Sequence, residues 1–168
     1  EQYAFSGCTG LTGIHLPDSL TSLGEAAFYG CDSATSLTLS SRLTSLPDTA
    51  FSYCASLETV EIPTNITSFG EYVFDSCTSL RSVSLPESMT SLGEFAFNNC
   101  TALTTINLPT NLTELHYTFS SCTSLASITL PDSLKIIGDF TFHDCDKLTS
   151  IHIPNSVTSI GKYAFYGM

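Results

Sequence analysis

The chain has 168 residues, of which 42% are hydrophobic and 11% aromatic, enough for one domain with a sizeable core. Charged residues are only 12%, about half the usual ~25% share, and 16 acids against 5 bases leave a net charge of -11. That balance excludes nucleic acid and anionic membrane surfaces, which need basic patches, and no apolar run approaches the ~20 residues of a membrane span.

Residues 1–8 are the second half of a unit that then recurs whole. Glu1 falls inside that unit and no signal peptide precedes it, so the sequence reads as a piece of a longer protein whose targeting signal and anchor lie elsewhere. The first complete repeat is 9–31, followed by 32–54, 55–77, 78–100, 101–122, 123–145 and 146–168. Cys8, Cys31, Cys54, Cys77, Cys100, Cys122 and Cys145 mark the period, and spacings of this size indicate a solenoid. Positions are numbered here from Leu11, which makes Cys31 position 21.

Within each repeat the first expected element is a short strand. Positions 4 and 6 are apolar throughout, from Ile14 and Leu16 to Ile151 and Ile153, and they alternate with small polar residues. A proline follows at position 7 in Pro17, Pro63, Pro86, Pro109, Pro131 and Pro154; lacking an N–H, it ends the strand. Positions 10 and 13 are apolar again. Position 14 is glycine in Gly24, Gly70, Gly93, Gly138 and Gly161, which suits a turn with unusual backbone angles. Position 15 is acidic in Glu25, Asp48, Glu71, Glu94 and Asp139, and position 18 is phenylalanine from Phe5 to Phe165. That stretch fits one short helical turn with the acid near its N-terminus. The expected fold class is therefore an α/β repeat. It has about seven 23-residue coils, each with a strand on one side and a turn burying a phenylalanine on the other, and neighbouring coils share one core.

The pattern L-x-x-I-x-L-P-x-x-L-T-S-L-G-x-x-A-F-x-x-C, carried most fully by "LRSVSLPESMTSLGEFAFNNC" and "LTSIHIPNSVTSIGKYAFYGM", resembles the BspA-like, or Treponema-type, leucine-rich repeat. The resemblance covers essentially the whole chain. It implies a right-handed solenoid with a concave parallel sheet. It also implies a non-enzymatic module of a cell-surface or secreted protein, engaged in adhesion to host or surface proteins. A structural spacer that projects another domain is the competing reading. Three departures stand out: repeat 32–54 has Ala34, Ser40 and Pro47 at the leucine, proline and glycine positions. Repeat 101–122 lacks the glycine between Leu115 and His116, so a tight bend with His116 at the surface is expected over 113–119. Met168 replaces the last cysteine.

The cysteine column raises the question of disulfides. Seven is odd, and stacked coils hold equivalent Cβ atoms ~4.8 Å apart or more with parallel vectors, whereas a disulfide wants about 3.5–4.5 Å with converging ones. Free, buried thiols are expected, at a position that wants a small apolar side chain. "HDC" (His143 to Cys145) lacks the paired spacing of a zinc site, and the acids at position 15 have no Asp-Gly-rich loop to make a calcium site. No serine or cysteine is singled out beside a histidine–acid pair, so neither catalysis nor a cofactor is expected.

The candidate binding residues are the outward positions of the strand. Position 5 varies through His15, Thr38, Glu61, Ser84, Asn107, Thr129 and His152, with Glu58 and Arg81 beside it at position 2, while position 3 stays small and mostly Ser or Thr. Aromatics gather instead at position 16, where Tyr3, Tyr72, Phe95, Tyr117, Phe140 and Tyr163 are expected to cover the adjacent turn. Asn65-Ile66-Thr67 and Asn111-Leu112-Thr113 are glycosylation sequons in a loop expected to be exposed, usable only in a secreting eukaryote. Neither end of the chain turns polar at its inward positions, so weak end-to-end self-association is expected.

Overall fold

In the computed structural model, which describes residues 1–168, the chain winds as a solenoid whose strands recur at about 23-residue spacing. The strands in chain order are β1 (Gly13–His15), β2 (Ser36–Thr38), β3 (Ser45–Leu46), β4 (Thr59–Glu61), β5 (Ser68–Phe69), β6 (Ser82–Ser84), β7 (Thr105–Asn107), β8 (Glu114–Leu115), β9 (Ser127–Thr129), β10 (Ile136–Ile137) and β11 (Ser159–Ile160). All pair in parallel, one repeat apart: Ile14 lies opposite Leu37, Val60 opposite Val83 and Ile106 opposite Ile128. The three-residue strands form a first sheet in the order β1-β2-β4-β6, continued by the pair β7-β9.

A second line of parallel strands, β3-β5 and β8-β10-β11, runs along positions 12 and 13. It is absent from the sequence-based expectation, although the apolar residue after Thr-Ser at position 13 carries its signal. Leu46, Phe69, Leu115 and Ile137 point inward from it and are buried. Together the two sheets and the turn side enclose one continuous core running from Ile14 to Ala164.

Two features of the expected fold class are corrected. There is no helix, so the chain is an all-β parallel solenoid and not an α/β repeat. The expected seven coils yield only six three-residue strands, because residues 149–152 form none.

Where a helical turn was expected, the backbone alternates in handedness instead. Every non-glycine residue with positive φ sits at position 16 or position 20, for example Tyr72 (φ 58), Phe95 (φ 58) and Thr49 (φ 56) at the first and Ser76 (φ 57) and Asn99 (φ 55) at the second. This alternation turns every second amide toward the next coil. Thr49, Phe51 and Tyr53 N–H donate to the carbonyls of Glu71, Val73 and Asp75 at 2.8, 3.0 and 2.8 Å, and the following coil repeats the pattern. A helix would have spent these donors inside its own coil. Left-handed geometry costs an ordinary L-residue roughly 1–2 kcal/mol, and the bonds between coils offset that cost.

The glycines at position 14 do not supply unusual angles, because none of them has positive φ. They make room. A Cβ on Gly93 would lie 1.8 Å from the Gly70 carbonyl oxygen, and one on Gly70 would lie 2.1 Å from Asp48 Oδ1. The aspartates at position 15 likewise have a different task from easing a helix dipole: Asp48 Oδ1 accepts the Glu71 N–H at 2.8 Å, and Asp139 Oδ1 accepts the Lys162 N–H at 2.6 Å. Each caps the coil that follows.

The phenylalanines of position 18 stack in one column. Phe28, Phe51, Phe74, Phe97, Phe119 and Phe142 follow one another at 5.6 to 5.8 Å with nearly parallel rings, all buried. The cysteines lie beside them, free as expected, and they do more than fill space. Cys54, Cys77, Cys100, Cys122 and Cys145 S–H each donate to the phenylalanine carbonyl of the preceding coil at 3.1 to 3.3 Å. Burial pushes the Cys77, Cys100 and Cys122 thiols well up and the Cys54 and Cys145 thiols up to about 12.

The short coil 101–122 bends as expected. Thr118 Oγ1 accepts the His116 N–H and donates to the His116 carbonyl, both at 3.2 Å, closing the path that the missing glycine shortens. His116 lies at the surface but only partly exposed, because its ring occupies the space above Gly138.

Two outcomes follow. Since the thiolate is the reactive form, a thiol reagent should label only the exposed Cys8 rapidly in the native protein and all seven cysteines in denaturant. Recovery of fewer than seven thiols from the unfolded, unreduced chain would contradict the free column. Thr49→Asn should raise stability by about 0.5–1 kcal/mol, because asparagine tolerates left-handed geometry better than a β-branched residue; urea denaturation measures it.

Candidate functional site

The first sheet alternates strictly. The middle residue of each strand enters the core, and its two neighbours face solvent. This sets His15, Thr38, Glu61, Ser84, Asn107 and Thr129 in one exposed row, one per coil, with Glu58 and Arg81 exposed on the same side of the sheet's entry. His152 is exposed but lies outside any strand. The structure therefore brings together every sequence-derived candidate from β1 to β9 and leaves His152 beyond the ordered ladder.

The middle of the row has relief. Thr59, Glu61, Ser82, Ser84, Leu85 and Asn107 line a shallow groove of about 460 Å³. A smaller one of about 270 Å³ lies on the other side of Glu61, against Thr38 and Pro63. Glu61 thus sits between two depressions, the larger carrying the hydroxyls of Thr59, Ser82 and Ser84 and the smaller that of Thr38 beside Leu37, Leu39 and Pro63. The face offers hydrogen-bond donors and acceptors with one central carboxylate, and no aromatic side chain.

Negative charge gathers elsewhere as well. Asp48, Glu71, Glu94 and Glu114 share a groove of about 350 Å³ with His116, whose Nε2 lies 3.7 Å from Glu114 Oε2. No group of three or more His, Cys, Asp or Glu side chains is placed to hold a metal ion. On the loop after the strands, Asp18 accepts the Ser41 N–H and hydroxyl at 3.2 and 3.0 Å, and Glu87 accepts the Thr110 N–H and hydroxyl at 3.0 and 2.9 Å. These bonds hold both carboxyls below the usual range. The sequon asparagines belong to the same loop. Asn65 Nδ2 donates to the Ser41 carbonyl at 2.6 Å and Asn111 Nδ2 to that of Glu87 at 3.2 Å, so both exposed amides already tie two coils together.

Sequence reasoning missed one ionisable group. Asp75, at position 19, is buried on the turn side. Its carboxylate accepts from Asn98 Nδ2 at 2.7 Å, Ser76 Oγ at 3.3 Å and Ser52 Oγ at 3.4 Å, three partners drawn from three successive coils. Burial nevertheless dominates and raises its pKa. The only signal in the sequence was an acid at a position held elsewhere by Tyr, Ser, Asn and His.

The stacked coils, two parallel sheets and repeat-spaced strand face define a leucine-rich-repeat solenoid. The profile of the BspA type leucine rich repeat region matches residues 1–118 and 116–168, in 6 copies, and the chain belongs to that family. It is similar to a leucine-rich repeat protein from Bacteroides ovatus, with 33% identity and a TM-score of 0.92 over 96% of this chain and 42% of that one. The T. pallidum leucine-rich repeat protein follows at 29% identity and TM-score 0.76, over 95% of this chain and 64% of that one. A leucine rich cell surface protein from Faecalibacterium prausnitzii shares 29% identity at TM-score 0.62, over 90% of this chain and 57% of that one. The chain thus spans less than two thirds of the length of each. No curated protein sequence matches it. No helix is long and apolar enough to cross a membrane.

The raised pKa of Asp75 has a pH consequence. Its protonated form suits the fold better than its ionised form. The stabilisation due to protonation is full below the unfolded-state pKa, ~3.9, and is lost as pH rises through the higher folded-state value. Asp75→Asn should therefore be more stable than the parent at pH 7, with the difference closing as pH falls toward 3. Urea midpoints of the two proteins across that range measure this.

Proposed function

We propose that this segment is a non-enzymatic binding module of a cell-surface or secreted protein, and that its first sheet is the adhesive face toward host or surface proteins. The observation that carries the reading is the exposed row from His15 to Thr129. It changes identity coil by coil at position 5, while the neighbouring position 3 remains small. A position with no task in the ladder is free to vary with a partner, and regular strands hold such residues rigidly enough for recognition. The cell-surface protein from Faecalibacterium prausnitzii supports the location. Hydroxyls and the Glu61 carboxylate suit a polar partner with a basic group at the centre of its footprint.

The face has no aromatic anchor of the kind that dominates tight interfaces, and this favours a second reading, a spacer holding another domain away from the surface. A binding array of host matrix proteins and glycans separates the two. Adhesion predicts at least one binder whose affinity falls about tenfold or more in Glu61→Lys, the size expected of a central contact, and is unchanged in the turn-side variant Tyr53→Ser. Absence of any binder, or equal loss in both variants, would leave the spacer reading standing.

A further inference from the structure

Both sheets are interrupted at one and the same place. In the first sheet β6 ends one group and β7 begins the next, with no ladder pairing between them. In the second, Ser68 bridges to Ser91, and the following strand, β8, pairs only with β10. No other pair of adjacent coils within 9–168 lacks pairing in both sheets. Coils 9–31 and 32–54 keep β1-β2, and the last two keep β10-β11.

The amides tell the same story. At every other junction the position-16 N–H donates to the next coil, as Tyr72 does to Glu94 and Tyr117 to Asp139, but Phe95 N–H has no such bond. Thr90 and Lys135 N–H donate back to Thr67 and Thr113, but Thr113 N–H makes no bond to Thr90. Along the sheets a single long backbone-to-backbone bond crosses, from Thr104 N–H to the Arg81 carbonyl at 3.4 Å, and the other bonds there are exposed ones that involve side chains: Thr101 to the Thr78 carbonyl, and Thr110 and Asn111 to Glu87.

The turn side of this junction is closed. Phe97 and Asn99 N–H donate to Thr118 and Ser120 at 3.0 and 2.8 Å, and Cys122 S–H reaches the Phe97 carbonyl at 3.1 Å. Phe95 and Tyr117 stack at 4.4 Å, the shortest ring separation in the molecule. The cause lies in the short coil. One missing residue removes roughly 3.3 Å of extended path, so a coil pinned at its turn cannot stay level with its neighbour along both sheets.

We propose that the junction between residues 78–100 and 101–122 is a hinge, fastened along the turn side and able to open along the sheets, where no ladder holds it and the exposed bonds to Glu87 can be exchanged for water. It divides the solenoid into two stiff plates. The row of exposed strand residues is split with it, between Ser84 and Asn107, so the angle between the plates sets the shape that a partner spanning both would meet. The hinge is independent of whether that face is adhesive.

Amide hydrogen exchange on the intact chain tests it under native conditions. Phe95 and Thr113 should exchange about tenfold or more faster than Tyr72 and Thr90, in keeping with a local opening below global unfolding. Spin labels on Ser84→Cys and Asn107→Cys, in a Cys8→Ala background, should give a broader distance distribution than labels on Glu61→Cys and Ser84→Cys. A glycine inserted between Leu115 and His116 restores the period and should slow exchange at Phe95 and narrow the 84–107 distribution. Equal exchange at paired positions together with equal widths for the two label pairs overturns the hinge, whether or not the insertion variant folds.

Discussion

The level stacking of one phenylalanine on the next is the constraint from which the rest of the structure follows. At position 18 a single residue serves three contacts at once. The Phe74 ring lies between Phe51 and Phe97, its N–H donates to Ala96 in the coil ahead, and its carbonyl accepts both the Cys77 N–H of its own coil and the Cys100 S–H of the next. Ring stacking, backbone bonding and thiol bonding therefore share one spacing. Any coil that keeps this contact is positioned, and its two sheets are carried along.

This explains which surfaces can vary. Positions 14 to 21 face the next coil with backbone, glycine clearances or carboxylate caps, so a change there is felt by two coils. Position 5 touches nothing in the ladder through its side chain. Its diversity, from His15 through Glu61 to Asn107, is what the fold leaves unconstrained, and a recognition surface placed there does not compete with stability.

The columns were legible in sequence because repetition separates what the core needs from what it tolerates. Phe74 and Cys77 recur with their neighbours, and Ile14 and Leu37 alternate with small polar residues, so core, strand and exposed face could be read directly. The turn could not. Its left-handed positions are filled by Tyr72, Phe95 and Thr49, where glycine or asparagine would have announced them, and a run such as "EFAFNN" reads as readily as helix. The glycines misled in the opposite direction, since Gly93 answers to a carbonyl in another coil and not to its own dihedral angles. Of the site, exposure and alignment were readable. The grooves beside Glu61 and the burial of Asp75 depend on three coils meeting, which no single repeat encodes.

The thiol column has a consequence for biogenesis. Each buried sulfur is engaged as a hydrogen-bond donor, so the native state holds no disulfide and gains nothing from an oxidant. Such a solenoid matures equally well in a reducing or an oxidising compartment and needs no partner to sort its cysteines. The hazard lies in the interval before folding. An unfolded chain outside the cell carries seven accessible thiols, and any bond made between them pulls two cysteines toward each other and away from their phenylalanine carbonyls. Burial of every sulfur but that of Cys8, once folding is complete, removes that hazard.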